Sequence, residues 1–146
     1  MARVCALAVE RGVAIGAQVS YVDRAGFGRR RLDVDARLLQ EQLLEQLGEL
    51  RAHARAAGGR VAYLKPHGAL YNTAADDPEV AGVVVATVLE DADAHRQLPV
   101  LALPGSALAL RARAAGVEVV AEAFADRAYT GTGRLVPRSH DGAVIT

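Results

Sequence analysis

A lysine and a histidine stand two residues apart in the segment 65–72, which reads Lys-Pro-His-Gly-Ala-Leu-Tyr-Asn. Lys65, the chain's only lysine, can hold an anion, and His67 can transfer a proton near neutral pH. The intervening proline fixes the backbone and the following glycine permits close approach, so the segment predicts a compact acid/base or anion-binding corner. Lys65 and His67 are catalytic candidates, and Tyr71 and Asn72 are candidate substrate contacts. The alternative is a turn in which His67 caps a carbonyl and Lys65 is solvated.

A second polar segment, 122–129, reads Glu-Ala-Phe-Ala-Asp-Arg-Ala-Tyr and brings two carboxylates, an arginine and a tyrosine into one loop. Asp126 is a third catalytic candidate, as a general base or as a partner of His67. Glu122 and Arg127 are candidate substrate contacts because such groups can orient a polar substrate. The alternative is that Asp126 and Arg127 form a surface ion pair of little energetic weight.

Two further positions complete the candidate substrate contacts. Asp23 lies in the loop 21–31, which ends in three arginines that form either a phosphate site or a solvated basic turn. Ser106 follows Pro-Gly without the flanking pattern of a hydrolase nucleophile, so capping of the next helix is its alternative role. The sequence contains neither a Gly-x-Gly-x-x-Gly fingerprint after a strand nor a P-loop, so ATP has to be handled elsewhere.

Composition excludes several classes of protein. The 146 residues are 51% hydrophobic, enough for a single domain with a sizeable core. The 17 basic and 17 acidic side chains give no net charge and no basic patch interleaved with aromatics, which argues against nucleic-acid binding. The four histidines lack metal-ligand spacing, so no metal site is expected. No apolar run approaches the roughly 20 residues of a membrane span and no signal peptide is visible, so a cytoplasmic protein is expected.

Helical and strand patterns alternate along the chain and must position these side chains. Helices are predicted at 3–11, from Asp33 or Asp35 to Gly58, at 78–94 and at 106–115, strands at 13–17, 61–64, 100–103, 117–121 and 143–145, and loops at 65–72 and 124–142. The alternation predicts a parallel α/β fold, and a barrel and an open sheet fit it equally. In both architectures the candidate residues lie at the carboxyl ends of the strands.

Several motifs, taken in order, give the chain a resemblance to a known family. These motifs are Gly12-Val-Ala-Ile-Gly-Ala17, Gly26-Phe-Gly-Arg-Arg30, Lys65-Pro-His-Gly-Ala-Leu-Tyr-Asn72, Phe124-Ala-Asp-Arg-Ala-Tyr129, Leu135-Val-Pro-Arg138 and Gly142-Ala-Val-Ile145. From about Val4 to Ile145 the chain resembles the LamB/YcsF family.

The resemblance implies a (β/α) barrel-like fold similar to glycoside hydrolase and deacetylase barrels. It also implies a role as the A subunit of the prokaryotic ATP-dependent 5-oxoprolinase, which converts 5-oxo-L-proline, ATP and water to L-glutamate, ADP and phosphate. Subunits B and C are the implied partners, and ATP is the implied co-substrate, bound together with them. The missing nucleotide motif agrees with that division.

The family pattern also extends beyond this chain at both ends. An incomplete barrel is therefore expected, with exposed strand edges near Ala14 and Val144 that favour association with a second copy or a partner. The family usually has His-Pro where this chain has Gln18-Val19, and glutamine cannot transfer a proton at neutral pH. The alternative function is a catalytically impaired module that binds a ligand or a subunit without turnover. A metal-dependent deacetylase on the same fold ranks last because its ligand set is missing.

Overall fold

The computed structural model describes residues 1–92, 96–138 and 140–145. The elements follow one another as α1 (Ala2–Glu10), β1 (Ile15–Val19), α2 (Ala36–Ala56), β2 (Val61–Pro66), α3 (Ala69–Asp76), α4 (Pro78–Ala92), β3 (Val100–Ala102), α5 (Ala107–Ala114) and β4 (Val119–Ala121). Strands and helices alternate along most of the chain, as the sequence pattern predicts.

The four strands form one parallel sheet in the order β1-β2-β3-β4. Neighbours in space are neighbours in sequence, which is the strand order of a βα barrel and lacks the reversal of a doubly wound sheet. Gln18 of β1 pairs in register with Lys65 of β2, and Val100 of β3 pairs with Val119 of β4. The prediction of a parallel α/β fold is confirmed.

The hydrophobic core joins one face of the sheet to the helices. Helix α2 begins where the Asp35 side chain accepts hydrogen bonds from the backbone N–H groups of Arg37 and Leu38, at 2.9 and 3.3 Å. Its apolar stripe then follows the helical period and is buried. The core includes Ala17, Val19, Leu39, Leu43, Leu47, Leu64, Val84, Val88, Val100, Ala102 and Leu108. Alternate strand residues therefore face the helices, and Gln18 and Lys65 lie on the other face of the sheet.

Two segments differ from the sequence-based prediction. Residues 69–72 were predicted as part of a loop, but they begin helix α3, because burial of Leu70 and Ala74 stabilises a helix that local pattern alone does not indicate. The strand predicted at 143–145 is also wrong. Val144 forms an isolated antiparallel bridge with Arg127, so this segment closes the loop that follows β4.

The remaining predicted elements are present with shifted bounds. Strand β1 lies two residues later than predicted, and α4 is described as far as Ala92, so the predicted helical residues 93–94 lie outside the described part. None of the described helices has the length and apolarity that a membrane crossing requires.

Candidate functional site

A cavity of about 540 Å³ lies at the carboxyl edge of the sheet. It is bounded by the ends of β1 and β2, by the start of α3 and by the loop that follows β4. Five of the predicted site residues line it: Lys65, His67, Tyr71, Asn72 and Arg127. This position agrees with the expectation that side chains from several strand ends meet at one edge of a parallel sheet.

Lys65 forms an ion pair across this edge. Its Nζ lies 2.9 Å from Oε2 of Glu122, and the two side chains are only 20% and 14% exposed. Lys65 is the penultimate residue of β2, and Glu122 immediately follows β4, so the pair spans the position of β3 between them. The ammonium group also lies 4.9 Å from the centre of the Phe124 ring. The carboxylate and the ring together hold the amine at the cavity wall.

Tyr71 brings a buried hydroxyl to the same cavity. Its residue is 6% exposed, and its ring meets the edge of Phe124 at a centroid distance of 5.7 Å. Among the described residues, neither Tyr71 Oη nor Glu122 Oε1 has a hydrogen-bond partner. Burial, and then the negative charge of Glu122, raises the pKa of the Tyr71 phenol above its ordinary value of 10.0. The phenol is therefore a hydrogen-bond donor at neutral pH, and the acceptor beside it is the Glu122 carboxylate, with which it forms no hydrogen bond of normal geometry.

His67 is fixed by two hydrogen bonds at the end of β2. Its backbone N–H donates to the carbonyl of Val19 at 2.8 Å, and its Nε2 lies 3.2 Å from the carbonyl oxygen of Phe27. Because a carbonyl oxygen only accepts, Nε2 carries a proton in this contact, and Nδ1 of the neutral ring is then an acceptor. Phe27 has a φ of 56°, a left-handed conformation that bulky residues rarely adopt. The His67 ring thus depends on a strained turn in the preceding loop.

Two glycines allow that loop to reach the start of α3. The backbone N–H of Ala69 donates to the carbonyl of Gly28 at 2.9 Å. Gly68 has a φ of 61°, and a Cβ atom built on it would lie 2.4 Å from the same carbonyl oxygen. Only glycine fits at this contact, which holds Arg29 beside Ala69 at the cavity wall.

Of the two neighbouring residues Asp126 and Arg127, only Arg127 lines the cavity. Arg127 is buried, and its guanidinium donates to the backbone carbonyls of Ala143 at 3.1 Å and Val136 at 2.5 Å. Arg127 therefore connects two parts of the loop that follows β4, in addition to lining the cavity. Asp126 is exposed and is not among the lining residues, although its carbonyl accepts from the N–H of Ile145 at 2.9 Å.

Asp23 lies in a neighbouring cavity of about 430 Å³ that shares Gln18 and His67 with the first. Its buried carboxylate pairs with the exposed guanidinium of Arg30, whose Nε donates to it at 3.1 Å, and accepts from the N–H of Gly26 at 2.9 Å. The hydrogen bond from Arg30 lowers the pKa of Asp23 from 3.8 to about 2, against the raising effect of burial. Asp23 therefore organises the loop that carries Phe27.

Ser106 serves as the N-cap of α5. It is 1% exposed, and its hydroxyl oxygen accepts from the backbone N–H of Ala109 at 3.1 Å. It lines neither of the two cavities described above. Of the two roles considered for Ser106, substrate contact and helix cap, the structure shows the helix cap.

The cavity is also lined by residues that were not predicted from the sequence as site residues. Phe124 and Arg138 line it, together with Arg29, which the sequence offered only as part of a basic run. Their signal was position: each lies in a polar loop that follows a strand end. Within the described ranges, no group of three or more His, Cys, Asp or Glu side chains is placed to hold a metal ion.

Comparison with known proteins gives consistent matches along the whole chain. The model of the LamB/YcsF family matches residues 1–146. A protein of Streptomyces avermitilis, named as the A subunit of 5-oxoprolinase, is 60% identical over 147 residues, covering 100% of this chain and 57% of that relative. A Nocardia farcinica protein of the same name is 50% identical and covers 99% of this chain and 57% of the relative.

A solved structure agrees with these matches. The crystal structure described as the lactam utilization protein from Thermus thermophilus has a TM-score of 0.89 and 39% sequence identity. It is matched over 99% of this chain and 57% of its own chain, so the present chain spans little more than half the length of these relatives. The chain belongs to the LamB/YcsF family.

Proposed function

We propose that this chain acts within the A subunit of an ATP-dependent 5-oxoprolinase and that the cavity around Lys65 opens the lactam of 5-oxo-L-proline. The observation that carries the proposal is the arrangement of Lys65, Glu122 and Tyr71 at the carboxyl edge of the sheet. It occurs in a chain that is 50% and 60% identical to two proteins named as A subunits of 5-oxoprolinase.

Opening the ring is a hydrolysis that needs help from a second reaction. Water adds to the lactam carbonyl carbon, the carbon–nitrogen bond breaks, and the nitrogen takes a proton to become the amine of glutamate. A five-membered lactam is resonance-stabilised and re-closes readily, so the reaction is coupled to hydrolysis of ATP to ADP and phosphate. Transfer of the γ-phosphoryl group of ATP to the lactam oxygen makes the carbon a better electrophile for water. Opening of the ring then leaves an acyl phosphate, and a second water releases phosphate and glutamate from it.

The Lys65–Tyr71 pair supplies the charge stabilisation that this step requires. The phosphoryl group on the lactam oxygen carries negative charge, and this charge has to be stabilised while water adds to the neighbouring carbon. Lys65 and Tyr71 both line the cavity, from β2 and α3, and each carries a hydrogen-bond donor. Glu122 acts through Lys65, because its carboxylate fixes the position of the ammonium group. Fixed donors in a largely buried site stabilise such charge far better than mobile water does.

His67 is the group that we assign to proton transfer. Its Nδ1 is the acceptor left by the hydrogen bond from Nε2 to Phe27. Of the two candidate bases, His67 lines the cavity and Asp126 does not. His67 therefore takes the proton of the attacking water and returns one to the departing ring nitrogen.

ATP use and assembly belong to the same proposal. The sequence has no phosphate-binding loop, so ATP acts as co-substrate with subunits B and C. Calorimetric titration of the isolated chain with Mg-ATP is expected to give no low-micromolar binding.

A second copy of the chain is the other expected partner. Val13, which precedes the edge strand β1, is 61% exposed, and Val4 of α1 is 70% exposed. Light scattering reports whether the chain associates and covers such side chains.

Reconstitution tests the proposal. The chain is mixed with subunits B and C, Mg-ATP and 5-oxo-L-proline, and glutamate and phosphate are measured together. Glutamate formation that requires all three proteins and ATP supports the proposed function. Equal glutamate formation by subunits B and C without this chain contradicts it.

A further inference from the structure

The charges that line the Lys65 cavity are all of one sign. The charged side chains at its wall are Arg29, Lys65, Arg127 and Arg138, and no Asp or Glu is among the described lining residues. The whole chain carries as many acidic as basic side chains, so this composition is a local segregation of charge. A concave site with several cations and no lining anion attracts an anionic ligand.

The four cations are not equally available to a ligand. The charge of Lys65 is balanced by its ion pair with Glu122. The Arg127 guanidinium donates to two backbone carbonyls. Neither Arg29 nor Arg138 forms an ion pair with any residue that the structure describes. The Arg29 guanidinium lies 5.5 Å from the centre of the Phe27 ring, a contact that leaves its N–H donors free. Two arginines with free donors therefore remain at the wall.

The segments that carry the two arginines are held at the cavity by hydrogen bonds of neighbouring residues. Arg29 follows Gly28, whose carbonyl accepts from Ala69 at the start of α3. Arg138 lies two residues after Val136, whose carbonyl accepts from buried Arg127. The two guanidinium groups come from segments more than a hundred residues apart in sequence, and they share the cavity with Tyr71.

We propose that Arg29 and Arg138 form a carboxylate-binding end of this cavity, which selects anionic over neutral five-membered lactams. The inference rests on the proposed function and deepens it. In 5-oxoproline the ring nitrogen lies between two carbons, one bearing the carboxylate and the other the lactam oxygen. Guanidinium groups bind a carboxylate through paired hydrogen bonds, which leaves Lys65 and Tyr71 to the lactam oxygen. The carboxylate contact then fixes the orientation of the ring at the Lys65 end.

Ligand-detected NMR titration of the chain separates the two ends of the cavity. The probes are 5-oxo-L-proline, the same lactam without its carboxylate (2-pyrrolidone), and inorganic phosphate. The variants are Arg29→Gln and Arg138→Gln, and the matched control is Arg113→Gln, which removes an exposed arginine of α5 away from the cavity. We expect the wild-type chain to bind 5-oxoproline at least about tenfold more tightly than 2-pyrrolidone. Each cavity variant is expected to lose about tenfold for 5-oxoproline and to keep its affinity for 2-pyrrolidone, while the control changes neither.

The other outcomes are decisive as well. Equal loss of affinity for both lactams, or no loss, overturns the carboxylate site. Binding of phosphate through the same arginines without binding of 5-oxoproline overturns it in favour of a phosphoryl ligand. Arginine-dependent binding of 5-oxoproline by a chain that forms no glutamate with its partners supports the site and contradicts the proposed reaction.

Discussion

Glu122 approaches Lys65 with one carboxylate oxygen and leaves the other without a partner among the described residues. The 2.9 Å contact between Oε2 and Nζ fixes the amine, while Oε1 stays available within the same buried group of side chains. The carboxylate of a merely structural ion pair is commonly satisfied on both oxygens, because an unpaired buried acceptor costs free energy. The arrangement is the one expected if Glu122 positions the Lys65 ammonium group in the proposed site.

Replacing this carboxylate tests its role as a positioning residue. Glu122→Gln keeps the shape but removes the charge that holds Lys65, so kcat of the reconstituted enzyme is expected to fall about tenfold or more with little change in KM. Glu122→Asp is expected to restore part of kcat because the charge returns. A large rise in KM at unchanged kcat would instead make Glu122 a simple binding contact.

Tyr71→Phe separates stability from activity. The buried Tyr71 hydroxyl forms no hydrogen bond of normal geometry with any described residue, so its removal is expected to leave the free energy of unfolding unchanged or slightly higher. The same change removes a donor to the lactam oxygen and is expected to lower kcat about 10- to 100-fold. Thermal unfolding and the glutamate assay give the two quantities. A destabilised variant with full activity would show that the hydroxyl is structural.

Asp23 makes the stability of the chain sensitive to acid. Its folded pKa of about 2 lies below the ordinary value of 3.8, so the ionised carboxylate stabilises the fold above about pH 4. That contribution is lost as pH falls through the window between the two pKa values. Asp23→Asn is therefore expected to be less stable than the wild-type chain near pH 7, and the gap is expected to shrink from about pH 4 to pH 2.

Urea unfolding at a series of pH values measures this gap. The control is Asp33→Asn, because Asp33 is exposed and forms no ion pair within the described residues. A gap between the wild-type chain and Asp23→Asn that stays constant down to pH 2 is incompatible with the assigned pKa.

The sequence allowed much of the fold to be predicted because the relevant signals are local. Asp35 caps α2 and the leucine stripe from Leu39 to Leu47 is buried, as capping and periodicity indicate. Helix α3 could not be predicted in the same way, because its first N–H, that of Ala69, donates to the carbonyl of the distant Gly28 and its apolar side chains are buried only in the folded chain. Local pattern also does not reveal that Val144 pairs with Arg127, which turned an expected strand into the closure of a loop.

The candidate site was predictable to a similar degree. Lys65, His67 and Tyr71 lie at or just after the end of one strand, so their meeting at one edge of the sheet follows from topology. Pairing of Lys65 with Glu122 and the contribution of Arg138 depend on tertiary placement of the loop after β4, which spacing along the chain does not determine. Position in the sequence also failed to exclude Asp126, which lies outside the cavity although its neighbour Arg127 lines it.

Gly68→Ala tests the close approach of Gly68 to the Gly28 carbonyl, which lies between His67 and Arg29 at the cavity wall. The substitution adds a Cβ atom 2.4 Å from the Gly28 carbonyl oxygen at a residue with a φ of 61°, so we expect it to destabilise the chain by about 2 kcal/mol or more. Gly105→Ala is the matched control, because Gly105 has a φ of 69° but no atom within 4 Å of an added Cβ. We expect the control to cost about 1 kcal/mol, from backbone strain alone. Equal losses in the two variants would show that the Gly28 contact is easily relaxed.

The most direct test of the account is glutamate formation by Lys65→Met with subunits B and C, Mg-ATP and 5-oxo-L-proline. Methionine keeps much of the apolar stem and removes the ammonium group, which lies 4.9 Å from the centre of the Phe124 ring and which we propose contacts the lactam oxygen. We predict that the rate of glutamate formation falls at least about 100-fold while circular dichroism shows an unchanged fold. A folded Lys65→Met variant that forms glutamate at the wild-type rate would contradict the account, since the amine would then take no part in opening the ring.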